Sequence, residues 1–160
     1  MDAAAKKHAL RLVPYGLYLA GFRRGDGSRG VNMVSWFTQT SFDPPRVVLG
    51  LHREGSAYEA VRETGVLALN VLGRDQGGLM KAFFKHVDVE DGTAGGLEVR
   101  DGANGCPLLP ALPAALELRL VEELDGGDHA PCLFEVTEAH VFDQEARAMS
   151  HGDVGLHYAG

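Results

Sequence analysis

The chain has 160 residues, 45% of them hydrophobic and 23% charged, which is typical of one globular domain that buries its core without disulfide or metal crosslinks. The formal net charge of −7 argues against nucleic-acid binding, because that binding needs a basic face to displace counterions from phosphates. No apolar run approaches the length of a membrane span, and the N-terminus lacks the apolar centre of a signal peptide. We therefore expect a single cytoplasmic domain over residues 1–160, with neither nucleic acid nor membrane as a partner.

The first predicted elements are strands. Residues 15–22 are apolar and rich in aromatic side chains, and the turn sequence RRGDGSRG after them predicts a β-hairpin into residues 31–37. After two prolines, Arg46–His52 and residues 66–72 form continuous apolar runs, typical of strands that are packed on both faces.

Two short helices are predicted among these strands. In GSAYEAVRETG, Ser56 and Glu59 have the spacing of a capping box, and Gly65 is suited to cap the helix C-terminus. The apolar residues of segment 76–86 predict a second helix. Residues 87–105 show too little periodicity for an element, so we expect a long loop there.

The C-terminal third returns to strands. Residues 115–123 and 132–142 alternate apolar and polar side chains, and the tail from residue 148 is expected to add one last strand. Clustered glycines and aspartates between the strands suggest many tight turns. The order predicts a mainly antiparallel β fold, and no GxGxxG, P-loop or GxSxG motif supports a Rossmann, Walker or serine-hydrolase site.

The seven histidines and two cysteines do not form a recognisable metal site. The histidines lack HExxH or other paired ligand spacing, and Cys106 and Cys132 are in no CxxC motif. Two thiols in a chain of this size indicate a reduced intracellular protein, although one disulfide between them is also compatible with the sequence. No metal is predicted, and Cys132 is expected to be buried and inert.

A polar cluster between two strands is the first candidate binding site. These hydroxyl and amide side chains suit a ligand with many donors and acceptors, but serine and threonine are also ordinary in strands and turns. Taken alone, the cluster is explained slightly better by ordinary strand and turn chemistry. Its members are Asn32, Ser35, Thr38, Gln39 and Ser41.

The corner after the strand Arg46–His52 is the second candidate. A helix N-terminus there would suit a phosphate, and Arg53 adds a permanent cation. Capping by Ser56 beside a solvent-facing arginine explains the same residues equally well. His129, on a glycine-rich turn that enters a strand, is a third candidate because such a turn can expose it to a cleft.

Taken together, these segments resemble the flavin reductase-like family. The resemblance is carried by S-W-F-T-Q-T-S-F-D-P-P, then LHREGSAYEAVRETG, the G-C-P-L-L turn, the GDH turn and the tail SHGDVGLHY, in that order along nearly the whole chain. The sequence is especially similar to that of the reductase module of flavodiiron-type proteins. The resemblance implies an antiparallel Greek-key split β-barrel with short inserted helices.

The resemblance also implies a site. Members are homodimers that bind FMN, sometimes FAD, near the subunit interface, and they use NADH or NADPH. His129 would lie near the nicotinamide, to position it or to assist proton balance. The residues that would contact the flavin are Asn32, Met33, Val34, Ser35, Trp36, Ser41, His52, Arg53, Ser56, Lys85, His151 and Tyr158.

The sequence departs from the family pattern at Val34, where many members have a threonine that can donate to the flavin; a backbone contact remains available there. The resulting functional hypothesis is an NAD(P)H-dependent flavin reductase, with a monooxygenase or another redox protein as a possible partner. Two alternatives stay open. One is an FMN-binding electron-transfer flavoprotein that does not oxidise free NAD(P)H, and the other is a binding module that has lost flavin.

Overall fold

The computed structural model describes residues 1–156. Its strands are β1 (Tyr18–Arg23), β2 (Arg29–Val34), β3 (Phe37–Ser41), β4 (Arg46–His52), β5 (Val66–Val71), β6 (Val87–Asp88), β7 (Thr93–Ala94), β8 (Leu97–Glu98), β9 (Arg100–Asp101), β10 (Pro107–Leu108), β11 (Ala114–Glu123) and β12 (His129–Val141). Its helices are α1 (Ala3–Arg11), α2 (Ser56–Thr64), a 3-10 helix (Arg74–Leu79), α3 (Met80–Phe83) and α4 (His151–Val154).

Eight of these strands form one antiparallel sheet in the order β3-β4-β12-β11-β5-β1-β2-β6. The β11–β12 hairpin is inserted between β4 and β5, which follow each other in the chain and are linked by α2. The predicted fold class, mainly antiparallel β with short inserted helices, is confirmed.

The predicted N-terminal hairpin is present. β1 and β2 pair from Tyr18 opposite Val34 to Arg23 opposite Arg29. The turn between them contains Gly27 at φ 87°, a left-handed conformation that side chains beyond glycine seldom adopt. The strand begins at Tyr18 and not at residue 15, because the preceding segment pairs with the C-terminal part of the chain, through a bridge between Gly16 and Ser150.

The central strands bury both of their faces. On β1, Phe22 packs into one hydrophobic cluster with Leu49 and Phe134, whereas Leu19 packs into a second cluster with Phe83. Successive side chains of a strand point to opposite faces, so one strand serves two cores. α2 covers the first cluster with its buried residues Ala57, Tyr58, Ala60 and Val61.

Two buried polar side chains tie the sheet to the loop that follows β9. Asn70 donates to the carbonyls of Leu19 and Pro107, each at 3.1 Å, and accepts from the Leu109 N–H at 2.9 Å. Both N–H groups of the amide and one of the two lone pairs on its oxygen are thereby used. The loop residues are thus fixed by a side chain from the middle of the sheet.

Glu117, only 1% exposed, is the second of these side chains. It accepts from the N–H groups of Ala103 (3.1 Å) and Asn104 (2.8 Å) and pairs with His140 Nε2 at 2.9 Å. Burial by itself would raise the pKa of Glu117, but the hydrogen bonds from Asn104, His140 and Ala103 together outweigh it and hold that pKa below its usual value. His140 lies on β12 and helps to hold this buried carboxylate.

The predicted capping box of α2 is wrong. Ser56 is the first helical residue, and the N-cap is Gly55, which has no side chain to cap the helix. The Ser56 hydroxyl instead lies 3.2 Å from His86 Nδ1. The predicted C-terminal cap is confirmed, since Gly65 is left-handed at φ 70° and donates to the Val61 carbonyl.

Three further expectations need correction. The second helix is a 3-10 helix, in which Gly77 and Gly78 weaken a regular α-helix, followed by the short α3, which ends at Phe83. The expected loop 87–105 contains β6 to β9, whose two-residue lengths leave no periodic pattern in a sequence. The described part of the tail, up to Leu156, forms α4 in place of a strand, and residues 157–160 lie outside the described residues. α1, which was not predicted, begins at an Asp2 carboxylate that accepts from the Ala4 and Ala5 N–H groups.

No helix within residues 1–156 is both long enough and apolar enough to cross a membrane.

Candidate functional site

A cavity of about 320 Å³ opens between the β2–β3 connection, the corner from β4 to α2, the start of β12 and α4. Its wall is mainly apolar and aromatic, with a few amide, hydroxyl and imidazole groups, as in typical small-molecule sites. The lining residues are Leu17, Asn32, Met33, Val34, Ser35, Trp36, Gly50, Leu51, His52, Gly55, Ala57, Tyr58, Phe84, His129, His151 and Leu156.

One wall is the end of β2. β6 pairs with only Gly30 and Val31, so within the described residues the outer edge of β2 has no neighbouring strand beyond Val31. Asn32 donates to the Met33 carbonyl at 3.1 Å, while its Oδ1 is buried and accepts no hydrogen bond from residues 1–156. A buried carbonyl without a donor is costly, so this atom is suited to accept from a ligand.

Trp36 forms the floor next to this edge. Its carbonyl accepts from the Gly50 N–H at 2.8 Å, and a Cβ at Gly50 would come within 3.2 to 3.3 Å of Trp36 side-chain atoms. Glycine at this position therefore lets the indole lie against β4. The Trp36 ring is 4.3 Å from the ring of His129 and 6.4 Å from that of Tyr15, centroid to centroid.

Two imidazoles meet beside the indole. His52 and His129 are paired across β4 and β12, and their rings are 4.9 Å apart and nearly perpendicular, at 87°. His129 Nδ1 lies 2.9 Å from Asp128, and because a carboxylate only accepts, the hydrogen is on Nδ1. His52 Nδ1 accepts from the Glu54 N–H at 3.2 Å, which leaves the hydrogen of a neutral His52 on Nε2.

Asp128 is the carboxylate that orients His129. Its hydrogen bond with His129, together with the charge of that ring, lowers the pKa of Asp128. Asp128 therefore stays ionised near neutral pH and continues to hold the Nδ1–H tautomer. The nitrogen turned away from Asp128 is Nε2, the acceptor position of the neutral ring.

The N-terminus of α2 forms another part of the wall. Gly55 and Ala57 line the cavity, and Gly55 offers no side-chain cap to the first N–H groups of the helix. Free N–H groups and the positive end of a helix dipole favour an anion such as a phosphate. The phosphate subsite that the sequence suggested at this corner stays a prediction.

The Arg53 side chain bonds to the turn before β12 and does not line the cavity. Its Nε donates to the Gly127 carbonyl at 2.8 Å, and its terminal nitrogens contact Tyr58 Oη (2.9 Å), Glu123 (3.4 Å) and Asp125 (2.8 Å). Tyr58 in turn donates to Glu123 at 2.6 Å, a bond that raises the pKa of Tyr58. Arg53 does not line the cavity, and its partners join the β4–α2 corner to the turn before β12.

The structure brings most of the expected site residues together around this cavity. Eight of them line it: Asn32, Met33, Val34, Ser35, Trp36, His52, His129 and His151. Four do not, namely Ser41 at the end of β3, Arg53, Ser56 and the exposed Lys85. Tyr158 lies outside the described residues.

Sequence reasoning missed several lining residues. Tyr58 was treated only as part of a helix, yet it is 5% exposed and faces the cavity. Phe83 is fully buried, whereas Phe84 beside it is 56% exposed and lines the cavity. The doubled aromatic was the available signal, because one short helix cannot bury two consecutive side chains on the same face.

The remaining reactive groups do not belong to the cavity wall. Cys106 and Cys132 are free and buried, and burial raises their pKa values to about 12 and about 11. Within residues 1–156, no group of three or more His, Cys, Asp and Glu side chains is arranged to hold a metal ion.

Comparison with known sequences gives one consistent result. The flavin reductase like domain matches residues 10–159. The NADH-dependent FMN reductase AsuE2 of Streptomyces nodosus subsp. asukaensis is 30% identical over 149 residues, which are 91% of this chain and 78% of that protein. Putative diflavin flavoprotein A 1 of Nostoc sp. is 31% identical over 153 residues, which are 94% of this chain and 26% of that protein. The chain thus spans about a quarter of the diflavin flavoproteins that it matches.

Comparison of structures gives the same fold. A putative flavin reductase from Haemophilus somnus 129pt has a TM-score of 0.80 at 14% identity, with 100% of both chains covered. The NADH:FAD oxidoreductase SgcE6 of Streptomyces globisporus C-1027 has a TM-score of 0.78 at 21% identity, over 94% of this chain and 85% of that one. The expected resemblance is confirmed: the chain belongs to the flavin reductase-like family.

Proposed function

We propose that this protein is a cytoplasmic NAD(P)H:flavin oxidoreductase that transfers a hydride from a nicotinamide to FMN, with FAD as the alternative flavin. The observation that carries the proposal is the combination, in one cavity, of a ring-lined wall and the uncapped N-terminus of α2. A flavin needs both, a flat apolar surface for its ring system and an anion site for its phosphate. The relative AsuE2, named an NADH-dependent FMN reductase, supports the same activity.

The residues present fit a flavin. Asn32 Oδ1 is a buried acceptor that lacks a donor among the described residues, and a flavin ring has an N–H that can supply one. Met33 and Val34 provide apolar contact, and the backbone at the open edge of β2 provides hydrogen-bonding groups where Val34 replaces the usual threonine. The Ala57 N–H and the positive end of the α2 dipole would hold the phosphate, whereas the Gly55 N–H already donates to the His52 carbonyl at 2.9 Å; this needs no contribution from Arg53.

His129 is assigned to the nicotinamide. Its ring is fixed by Asp128 on one side and lies against Trp36 and His52, so the ring is held at the cavity wall. A held imidazole orients a substrate at little entropic cost and can assist proton balance without acting as a nucleophile. When bound, the flavin supplies the hydride acceptor, and the protein supplies binding, orientation and exclusion of water.

Assembly and partners are part of the proposal. A homodimer with flavin near the subunit interface follows from the family resemblance. The reduced flavin would then either stay bound or pass to a monooxygenase or another redox protein. The diflavin relatives, in which the matched segment is about a quarter of a longer chain, favour an electron-transfer flavoprotein as the second candidate function.

Steady-state oxidation of NADH and NADPH with added FMN, FAD or riboflavin tests the proposal. We expect turnover with at least one pair of nicotinamide and flavin. A yellow protein that a protein partner reduces, and that ignores free NAD(P)H, would support the electron-transfer alternative. A colourless protein whose melting temperature does not respond to FMN or FAD would contradict both functions and indicate a module that has lost flavin.

A further inference from the structure

The turn that carries His129 is held from outside the cavity by one residue. Arg53 bonds to this turn twice, through its backbone N–H to the Asp128 carbonyl at 3.0 Å and through Nε to the Gly127 carbonyl at 2.8 Å. Gly127 is left-handed at φ 81°, so the turn contains a residue with wide conformational freedom. His129 follows directly and is paired with His52, the residue before Arg53.

The terminal nitrogens of Arg53 extend the same attachment. They contact Asp125 at the start of the turn and Glu123 at the end of β11, while the guanidinium lies 5.7 Å from the centre of the Tyr58 ring. A fork of donors that reaches both ends of a turn restrains its shape in a way that a single point charge cannot. Arg53 is therefore placed to restrain the turn and not to meet a ligand.

We propose that Arg53 is a positioning residue that fixes the turn of residues 125–128 and thereby holds the His129 ring against Trp36. It acts through Asp128, which sets the orientation of the His129 ring. The consequence for catalysis rests on the proposed function, in which His129 orients the nicotinamide. The consequence for the geometry of the turn does not depend on it.

Arg62 provides a matched control. It also approaches Glu123, at 3.8 Å, and its guanidinium lies 5.9 Å from the Tyr58 ring centre, almost the same distance as that of Arg53. Within residues 1–156 it makes no hydrogen bond or ion pair with the turn of residues 125–128. A comparison of Arg53→Met with Arg62→Met therefore separates loss of the turn attachment from loss of a cation near Tyr58 and Glu123.

The experiment measures three quantities for the wild type, Arg53→Met, Arg53→Lys, Arg62→Met, His129→Ala and the double variant Arg53→Met/His129→Ala. These are the KM for NADH, the Kd for FMN and the emission of Trp36 without ligand. Trp36 is the only tryptophan of the chain, and indole emission responds to the groups in contact with the ring, so a change in this signal reports a change in the contact between the two rings.

We expect Arg53→Met to raise the KM for NADH about tenfold and to leave the Kd for FMN within about twofold, because orientation and flavin binding are separate tasks. Trp36 emission should change in this variant. Arg53→Lys should recover part of the effect through one bond to the turn, and Arg62→Met should match the wild type. In the His129→Ala background, Arg53→Met should have no further effect on KM.

Three results would overturn the proposal. An equal loss of FMN affinity in Arg53→Met would make Arg53 a ligand of the flavin phosphate. Independent, multiplying effects of Arg53→Met and His129→Ala would mean that Arg53 does not act through His129. A failure of Arg53→Met to fold, with Arg53→Lys equal to the wild type in every readout, would assign Arg53 to stability alone.

Failure of the proposed function is distinguishable from these results. If the wild type does not oxidise NADH or NADPH, the Trp36 emission of the same variants still decides whether Arg53 positions the His129 ring. Unchanged emission in Arg53→Met would then refute the positioning role.

Discussion

Two asparagines on the strands that flank β1 have opposite hydrogen-bonding states. Asn70 on β5 makes three hydrogen bonds to the backbone and is fully buried. Asn32 on β2 makes one, to the Met33 carbonyl, and its buried Oδ1 has no donor within residues 1–156. β1 lies between these strands, so the difference arises within one small region of the fold.

The surroundings of the two residues differ in the same way. Asn70 and Glu117 hold backbone segments in place. Glu117 accepts from the Ala103 and Asn104 N–H groups, and Asn70 accepts from the Leu109 N–H, so these donors are satisfied within the protein. Asn32 faces a cavity with imidazoles, an indole and an uncapped helix N-terminus. A buried polar group that is satisfied stabilises the fold, whereas one without a partner marks a surface that is complete only with a ligand.

The largest effect is expected for Asn70→Leu. Leucine is similar in size but removes three hydrogen bonds, including the acceptor of the buried Leu109 N–H, so the free energy of unfolding should fall by about 4 kcal/mol. Urea unfolding at neutral pH measures this difference. A loss below about 1 kcal/mol would mean that water or loop movement satisfies these groups.

Glu117→Gln should have the second largest effect and lower the free energy of unfolding by about 2 kcal/mol. The new amide NH₂ would face an N–H donor of the 103–104 loop or of His140. The effect should depend on pH. Since the folded pKa of Glu117 is lowered, its stabilisation is complete above the ordinary pKa of about 4 and is lost as pH falls through the folded value.

The difference in unfolding free energy between the wild type and Glu117→Gln should therefore narrow as the solution is acidified below about pH 4. Urea titrations at several pH values check this. A difference that widens on acidification would contradict the lowered pKa and the hydrogen bonds to which we attribute it.

Asn32→Leu makes the same chemical change as Asn70→Leu, but it should weaken ligand binding and leave stability nearly unchanged. It removes a buried carbonyl that has no donor, so stability should stay within about 0.5 kcal/mol, while the Kd for FMN should rise about tenfold. Urea unfolding and an FMN titration of the same sample give both values. If Asn32→Leu destabilised the protein as much as Asn70→Leu, the two sites would not differ as described.

The smallest effect is expected at the cysteines. Burial raises the pKa of Cys106 to about 12 and that of Cys132 to about 11, so neither should react with a thiol reagent in the native protein near neutral pH. Both should react after unfolding in urea. Labelling of Cys106 in native Glu117→Gln, with Cys132 still protected, would show that the loop held by Glu117 opens locally.

The fold was predictable where the pattern is local. Apolar runs identified β4 with its observed limits, and a glycine after an apolar helix identified the end of α2. The start of α2 was mistaken because Ser56 and Glu59 have capping-box spacing, but the chain enters the helix one residue earlier, at Gly55. The strands of segment 87–105 have two residues each, and a period cannot be recognised over that length.

The candidate site was predictable only in part, because its geometry depends on contacts between distant residues. The segment Asn32–Trp36 was implied as a site by the family resemblance and not by its polar residues alone, and the structure places it at the cavity. Arg53 was expected at a phosphate, but its partners Glu123 and Asp125 lie 70 and 72 residues further along the chain. No local pattern reveals that an arginine will be engaged by side chains so far away.

A titration of Trp36 emission with FMN tests the central claim most directly. Trp36 is the only tryptophan and lines the cavity, so a flavin bound there should quench its emission in a saturable way that follows one binding isotherm. Asn32→Leu should shift that isotherm to higher FMN concentration, and Asn70→Leu, where it is folded, should not. Flavin binding that leaves Trp36 emission unchanged would place the flavin elsewhere and contradict the account.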